Sequence, residues 1–434
     1  MRRLDLYRMG RSLQGAPGDE RDKGRDSENG GRTRDRRLHL LEELRDLTGG
    51  EILTGGGGLL LRIERLFPFD YRHGGVSLQE IHGHESRQVE TLFPVVRDHA
   101  AGCPSPEDLL FFDIETTGLS GGAGTYLFLI GMLRPGDEGL RFVQLFMHSL
   151  SSERLLLQEV GRELRESGFL VSYNGRSYDY NILRNRYILN GVTFFQQEPV
   201  HLDLLYTSRR IWRGLFPDFT LATVERRALE LRRLDDIPGW RIPEVYADYL
   251  RGREVCRDIL RIIAHNRDDV LSLAALFGKQ LRLIGEAAGS SEEASYDPVA
   301  LSDMLINGRR EAEAHTILSA HSDSGRARMH LALLCKRQRQ FDEALFHLEK
   351  LCAEQVGLRD YLFACTEAAK ILEHRIGDFE NALLYTRRML IRLERARYFK
   401  TDDGYAEQAK RQIVHRMNRL QRKLGKWVER QEGL

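Results

Sequence analysis

The chain has 434 residues, 41% of them hydrophobic and 30% charged, with a formal net charge of +1. At roughly 150 residues per domain this gives two or three folded units and excludes a small cross-linked scaffold. No apolar run approaches the roughly 18 residues of a bilayer span, and no signal-peptide stretch precedes Gly15-Ala16-Pro17-Gly18, so the sequence predicts a soluble, cytoplasmic protein with no membrane partner.

The balanced total hides an uneven distribution. Residues 1–38 carry 11 basic against 7 acidic side chains and residues 390–434 carry 12 against 6, which leaves the stretch between them at −9. Basic ends suit a polyanion, and an acidic centre suits metal ions. The five cysteines are odd in number and contain no C-x-x-C, so neither a disulfide framework nor a zinc ribbon is supported.

In chain order, the arm over 1–38 is rich in Arg, Gly, Asp and Ser and is expected to be disordered, because it cannot bury enough apolar surface to offset its ordering entropy. Residues 39–105 predict a small β-containing N-terminal region punctuated by Gly55–Gly58 and Gly74-Gly75. An α/β domain is expected over 106–287. Strands at 109–115, 125–133 and 140–146 form an antiparallel meander, and strands at 169–173 and near 200–204 then alternate with helices at 152–167 and 178–190, before a long helix at about 254–282. A meander followed by alternating strands and helices implies one mixed sheet flanked by helices.

Residues 296–434 predict an all-α domain with a basic tail. Segments around Ala312, Ala344 and Ala382 each open a helix, and spacings of 32 and 38 residues approach the period of about 34 of tetratricopeptide repeats. This resembles a degenerate tetratricopeptide array, with an irregular helical bundle as the alternative.

Three acidic segments in the α/β domain carry chemistry. Asp113-Ile114-Glu115 ends a buried strand, where a period of two puts both carboxylates on one face, roughly 7 Å apart. Tyr173-Asn174-Gly175-Arg176-Ser177-Tyr178-Asp179 is a strand-to-helix junction with Asp179 at the helix start. His265 and Asp269 are spaced i, i+4 on one helix face, about 6 Å apart, with Asp268 expected to face solvent. Four ionised carboxylates form an unfavourable cluster unless cations occupy it, and two Mg²⁺ or Mn²⁺ ions supply the matching charge. Two such ions stabilise both oxygens of an in-line phosphoryl displacement, and a neutral histidine can take the proton of the attacking water.

These segments, with Asp113-Ile114-Glu115-Thr116-Thr117-Gly118-Leu119 first, resemble the three exonuclease motifs of the DEDD superfamily, which implies a ribonuclease H-like fold over about 109–280. His265 implies the DEDDh branch, although its interval of four residues to Asp269 matches the branch that carries tyrosine. Together with the tetratricopeptide-like segment, the Asn-Arg-Asp-Asp-Val form of the third motif resembles the YprB (MrfB) family of bacterial exonucleases. That resemblance implies metal-dependent 3′ to 5′ degradation of DNA in repair, acting on single strands or 3′ ends alongside a helicase partner. It implies metal binding by Asp113, Glu115, Asp179 and Asp269, a proton-accepting His265, and substrate contacts from Thr116, Thr117, Leu119 and Asn174. A non-catalytic nucleic-acid or protein-binding scaffold on the same fold, and the same chemistry on RNA, are the alternatives.

Asp203 is read as structural in preference to a partner of a metal ligand. Arg209, Arg210, Arg213, Arg226, Arg227, Arg232 and Arg233 are read as a basic lining in part available for phosphates. Trp212, Phe216 and Phe219 are assigned to core packing ahead of base stacking.

Overall fold

The computed structural model describes residues 25–83, 85–99, 102–118, 124–165, 167–193, 198–286, 296–354, 356–397 and 403–432. The chain divides into two units, one ending at Gly285 and one beginning at Glu286.

The first unit opens with helix α1 (Arg25–Thr48) and the hairpin β1 (Glu51–Gly55)–β2 (Gly58–Phe67), followed by a short ribbon, β3 (Arg72–His73)–β4 (Val76–Ser77), and α2 (Ser86–Leu92). Next come β5 (Leu109–Thr116), β6 (Leu127–Pro135), β7 (Leu140–Met147), α3 (Glu153–Leu164), β8 (Phe169–Ser172), α4 (Asp179–Leu189) and β9 (Val200–Asp203). Helices α5 (Leu204–Ile211), α6 (Leu221–Ala228), α7 (Ile242–Leu250) and α8 (Cys256–Glu286) complete it. The seven-stranded sheet has the order β1-β2-β7-β6-β5-β8-β9. Strands β7, β6 and β5 pair antiparallel, whereas β8 and β9 join β5 in parallel. This is the mixed, helix-flanked α/β sheet that the sequence predicts. The Leu109-Leu110-Phe111-Phe112 run is wholly buried, as a central strand covered on both faces requires.

Two expectations for the N-terminal region are corrected. Residues 25–38 are not a disordered arm but the first turns of α1, whose later turns anchor Leu40, Leu41 and Leu44 in the core; residues 1–24 lie outside the described residues. Residues 39–105 do not form a separate small unit. Strand β2 pairs with β7 from Leu60↔Met147 to Phe67↔Leu140, and β1 extends the sheet beyond it. The physical reason is that β7 is buried along nearly its whole length and needs a neighbour to cover its open edge. The β1–β2 turn places Gly56 and Gly57 at φ 57° and 80°, the left-handed pair that a two-residue hairpin of matching twist demands.

The second unit is all-α among the described residues: α9 (Pro298–Asn307), α10 (Glu311–Ala320), α11 (Gly325–Arg337), α12 (Phe341–Ala353), α13 (Leu358–Ile371), α14 (Phe379–Arg397) and α15 (Asp403–Glu432). Three helix pairs repeat one turn geometry. Arg309, Arg339 and Gly377, at φ 59°, 64° and 82°, each stand two residues before α10, α12 and α14. The fully buried alanine three residues into each of those helices is Ala314, Ala344 or Ala382. In the first of these helices the inward alanine is therefore Ala314 and not Ala312, which is exposed. No helix among the described residues is long and apolar enough to cross a membrane.

Candidate active site

The site lies over the middle of the sheet, where β5 meets α4 and α8. Asp113 and Glu115 project from β5 two residues apart, as the strand period requires. Across the sheet, Asp113 is in register with Gly131 of β6, and Gly131 with Gln144 of β7. Asn266 of α8 lies over that glycine: its Nδ2 donates to the Asp113 carbonyl oxygen (3.1 Å) and to Asp113 Oδ2 (3.0 Å), while its Oδ1 accepts from Gln144 Nε2 (2.9 Å). A Cβ on residue 131 would stand 2.4 Å from Asn266 Oδ1, so this close approach of helix to sheet needs glycine there.

Asp179 is delivered by the turn after β8. Asn174 adopts φ 63°, its backbone N–H donates to Asp203 Oδ1 (2.8 Å), and the Arg176 N–H donates to Asp203 Oδ2 (3.3 Å). Asp203 also caps α5 through the Leu205 N–H (3.0 Å), so its role is to hold the Asp179 turn. Gly175 is confined in the same turn, since a Cβ there would meet Ser172 Oγ at 2.4 Å and Asp179 Oδ2 at 2.9 Å.

On α8, His265 Nε2 stands 3.5 Å from Asp269 Oδ2 and 4.0 Å from Glu115 Oε1. Glu115, His265 and Asp269 bring one ligand atom each within 4.8 Å of one another, a group able to hold a metal ion. Two residues that the sequence reading did not assign to this site complete the helix side. Asp236 receives His265 Nδ1 at 2.7 Å, which fixes the ring with Nε2 toward the carboxylates. Arg233 bridges Asp269 and Glu225 and lies 3.4 Å from His265 Nδ1. Arg233 is thus committed to the site's own acids and is not part of a phosphate-facing lining. Asp268 does not face solvent freely; it is half-buried and paired with Arg267 at 2.7 Å.

The electrostatics follow from burial and like charge. Burial, with the charges of Asp269, Glu115 and Asp179 beside it, holds the Asp113 carboxyl well above its ordinary range, and Glu115 is raised in the same way by burial, Asp269 and Asp179. Asp179 is pushed up to about 7 by burial and by Asp203 and Asp269. For His265, burial favours the neutral ring but is outweighed by the Asp236 hydrogen bond and the Asp269 charge, so it is raised to about 9. Crowded carboxylates that resist ionisation, with oxygen donors predominating, fit hard divalent cations. Such cations would favour the ionised acids and, by neutralising them, lower His265 again.

Among the proposed substrate contacts, Thr116 Oγ1 donates to the Gly118 carbonyl (2.9 Å), and Thr117 Oγ1 accepts from the Tyr126 N–H (2.9 Å). Tyr178 donates from its hydroxyl to the same Gly118 carbonyl (3.1 Å), which joins the first motif to the second. Leu119 lies outside the described residues, and Asn174 is exposed at the cleft. Trp212 is buried and stacks on Phe216 with centroids 5.2 Å apart, in agreement with core packing.

Sheet order and acidic cleft define a ribonuclease H-like domain, and a family model described as the RNase_H superfamily matches residues 110–280. Members of that superfamily are generally nucleases that hydrolyse phosphodiesters and typically use divalent metals, so nucleic acid is the substrate class. Beyond the domain, the uncharacterized protein YprB of Bacillus subtilis (strain 168) is 31% identical over 327 residues, which cover 73% of this chain and 77% of that protein. The chain belongs to the YprB family.

Proposed function

We propose that the protein is a DEDD-type 3′ to 5′ exonuclease that degrades DNA in repair, using two Mg²⁺ or Mn²⁺ ions held by Asp113, Glu115, Asp179 and Asp269. The observation that carries this reading is the convergence on one cleft of those four acids and His265, with the imidazole set against Glu115 and Asp269. Bound divalent ions supply charge stabilisation to the scissile phosphate and lower the pKa of the attacking water.

The chain's own groups do the rest. Asp113 and Glu115 sit on the buried strand β5, Asn266 and Gly131 lock the first of them, and Asp203 sets the turn that presents Asp179. Asp236 orients His265 so that Nε2 can take a proton from water once neighbouring negative charge is neutralised. Thr116, Thr117 and Leu119 follow the acids in sequence and would pack on a terminal nucleotide, with the exposed Asn174 offering a further contact. The second unit is read as a tetratricopeptide-like module for a partner such as a helicase, supported by its repeated helix pairs and basic C-terminal stretch.

End dependence tests the exonuclease reading. A linear single strand should be consumed from its 3′ terminus, a 3′ phosphorothioate cap should slow the reaction, and a closed circle should survive. Nicking of the closed circle by the wild type, in a preparation whose Asp113→Ala variant is inert, would replace an exonuclease with an endonuclease on the same site. Preferential loss of an RNA strand of the same sequence would overturn the DNA assignment.

A further inference from the structure

Away from the cleft, the second unit gathers a different set of donors. His315 on α10, Cys335 on α11 and Glu343 on α12 come from three successive helices and place one ligand atom each within 4.8 Å of one another. His315 Nε2 is 3.2 Å from Glu343 Oε1, and its Nδ1 is 3.4 Å from Ser319 Oγ, an arrangement that orients the ring. Cys335 is fully buried, and the side chains of His315 and Glu343 remain 30% and 38% exposed, which leaves an entry path from solvent. One helical turn beyond Glu343 lies His347, itself only 9% exposed, whose buried Nδ1 has no hydrogen-bond partner.

We propose that His315, Cys335 and Glu343 form a transition-metal site of the zinc class that clamps α10, α11 and α12 together. A thiolate and an imidazole select Zn²⁺ or Co²⁺ over Mg²⁺ and Mn²⁺, the reverse of the preference of a purely carboxylate ligand set. Tetrahedral zinc with bonds of about 2.0–2.3 Å needs its ligand atoms roughly 3.5 Å apart, a contraction of about 1 Å that rotation of the two half-exposed side chains can supply. Repeat helices bury little surface beyond their nearest neighbours, so a bond across three of them adds directly to folding free energy. The site is independent of the nuclease reading, since it shares no residue with the cleft.

The test uses the full chain, stripped with a chelator and titrated with Co²⁺. The expected result is about one tightly bound ion per chain with a thiolate-to-cobalt charge-transfer band and visible bands of tetrahedral intensity, both displaced by Zn²⁺ and untouched by excess Mg²⁺. Asp113→Asn and Cys352→Ser should keep the band. Cys335→Ser should abolish it, and His315→Ala should weaken Co²⁺ binding by more than the ~10–100-fold that loss of a supporting group costs. Wild-type protein should also melt at a higher temperature with Zn²⁺ than without, a shift lost in His315→Ala even if Cys335→Ser does not fold. Absence of the charge-transfer band from the wild type, or its survival in folded Cys335→Ser, would overturn the proposal and leave the His315–Glu343 contact as an ordinary hydrogen bond.

Discussion

The two walls of the nuclease cleft are built on opposite electrostatic plans. On the strand wall, Asp113 and Glu115, with Asp179 beside them, form no ion pair with lysine or arginine among the described residues; burial raises all three, with the charge of Asp269 next for Asp113 and Glu115 and those of Asp203 and Asp269 next for Asp179. The helix wall supplies its own compensation: Asp269 is paired with Arg233, and His265 with Asp236. The difference teaches that the strand wall is left for cations from solution, whereas the helix wall is wired in advance and contributes orientation and proton handling.

Substitutions on the strand wall should have the largest effect. Asp113→Asn or Glu115→Gln removes a hard ligand worth several kcal/mol of charge stabilisation, on the order of 10³-fold in kcat at about 1.36 kcal/mol per decade. In metal-free buffer the same variants should melt higher than the wild type, by about 2–4 °C for each kcal/mol of repulsion relieved. A variant that loses activity but also melts lower would show that the carboxylate is a structural partner instead.

On the helix wall the expected losses are smaller and are read through pH. His265→Ala should cost about 10²–10⁴-fold in rate, the range for a general base, with the acidic limb of the pH–rate profile lost. Asp236→Asn should keep most of the rate but move that limb to lower pH, because the aspartate is what raises the ring. An unmoved limb would mean that water is activated without the imidazole. Gly131→Ala should be milder still, since it displaces Asn266 from Asp113 without touching a ligand; a cost of about 1–3 kcal/mol in stability is expected for overpacking, and full activity with unchanged melting would sink the packing account.

Stability against pH sharpens the comparison without any variant. Asp179 rises from 3.8 to about 7 on folding and His265 from 6.5 to about 9, so in the folded state both hold their protons to higher pH. Their contribution is fully present below the unfolded values and is lost as pH rises through the folded ones; His73, His148 and His201, held down to about 4 by burial, act in the opposite sense below 6.5, so the metal-free protein should grow less stable between about pH 7 and 9. Thermal melts with a chelator should show this decline, and melts with Mn²⁺ should flatten it; a chelated protein that gains stability across the interval would contradict the raised carboxylates.

Much of this site was legible because its residues carry short-range signals. The D-x-E at the end of a buried apolar run, the strand-to-helix junction before Asp179, and the i, i+4 pair on a long helix each announce their face from local periodicity. What the sequence hid depends on distant pairing. Arg233 sits within a run of arginines in which solvated and buried members look alike, and only the fold sets it between Glu225 and Asp269. Asn266 is adjacent to the recognised His265, but its meaning depends on Gly131 more than a hundred residues away. The same holds for the fold: β2 finds its place against β7 across some eighty residues of chain, and α1 begins in polar sequence that would not form a stable helix without the leucines at its far end. In the second unit, Ala312 stands in the first turn of α10 as the sequence predicts, but the inward alanine is Ala314, because which face turns inward is set by packing against the neighbouring helix.

Hydrolysis of 3′-labelled single-stranded DNA by the full-length protein, with Mg²⁺, Mn²⁺ or EDTA and beside the Glu115→Gln variant, tests the central claim most directly. The strand-wall account predicts stepwise shortening with either divalent ion, none with EDTA, and a loss on the order of 10³-fold in the variant. Shortening that persists in EDTA, or at the wild-type rate in Glu115→Gln, would contradict it.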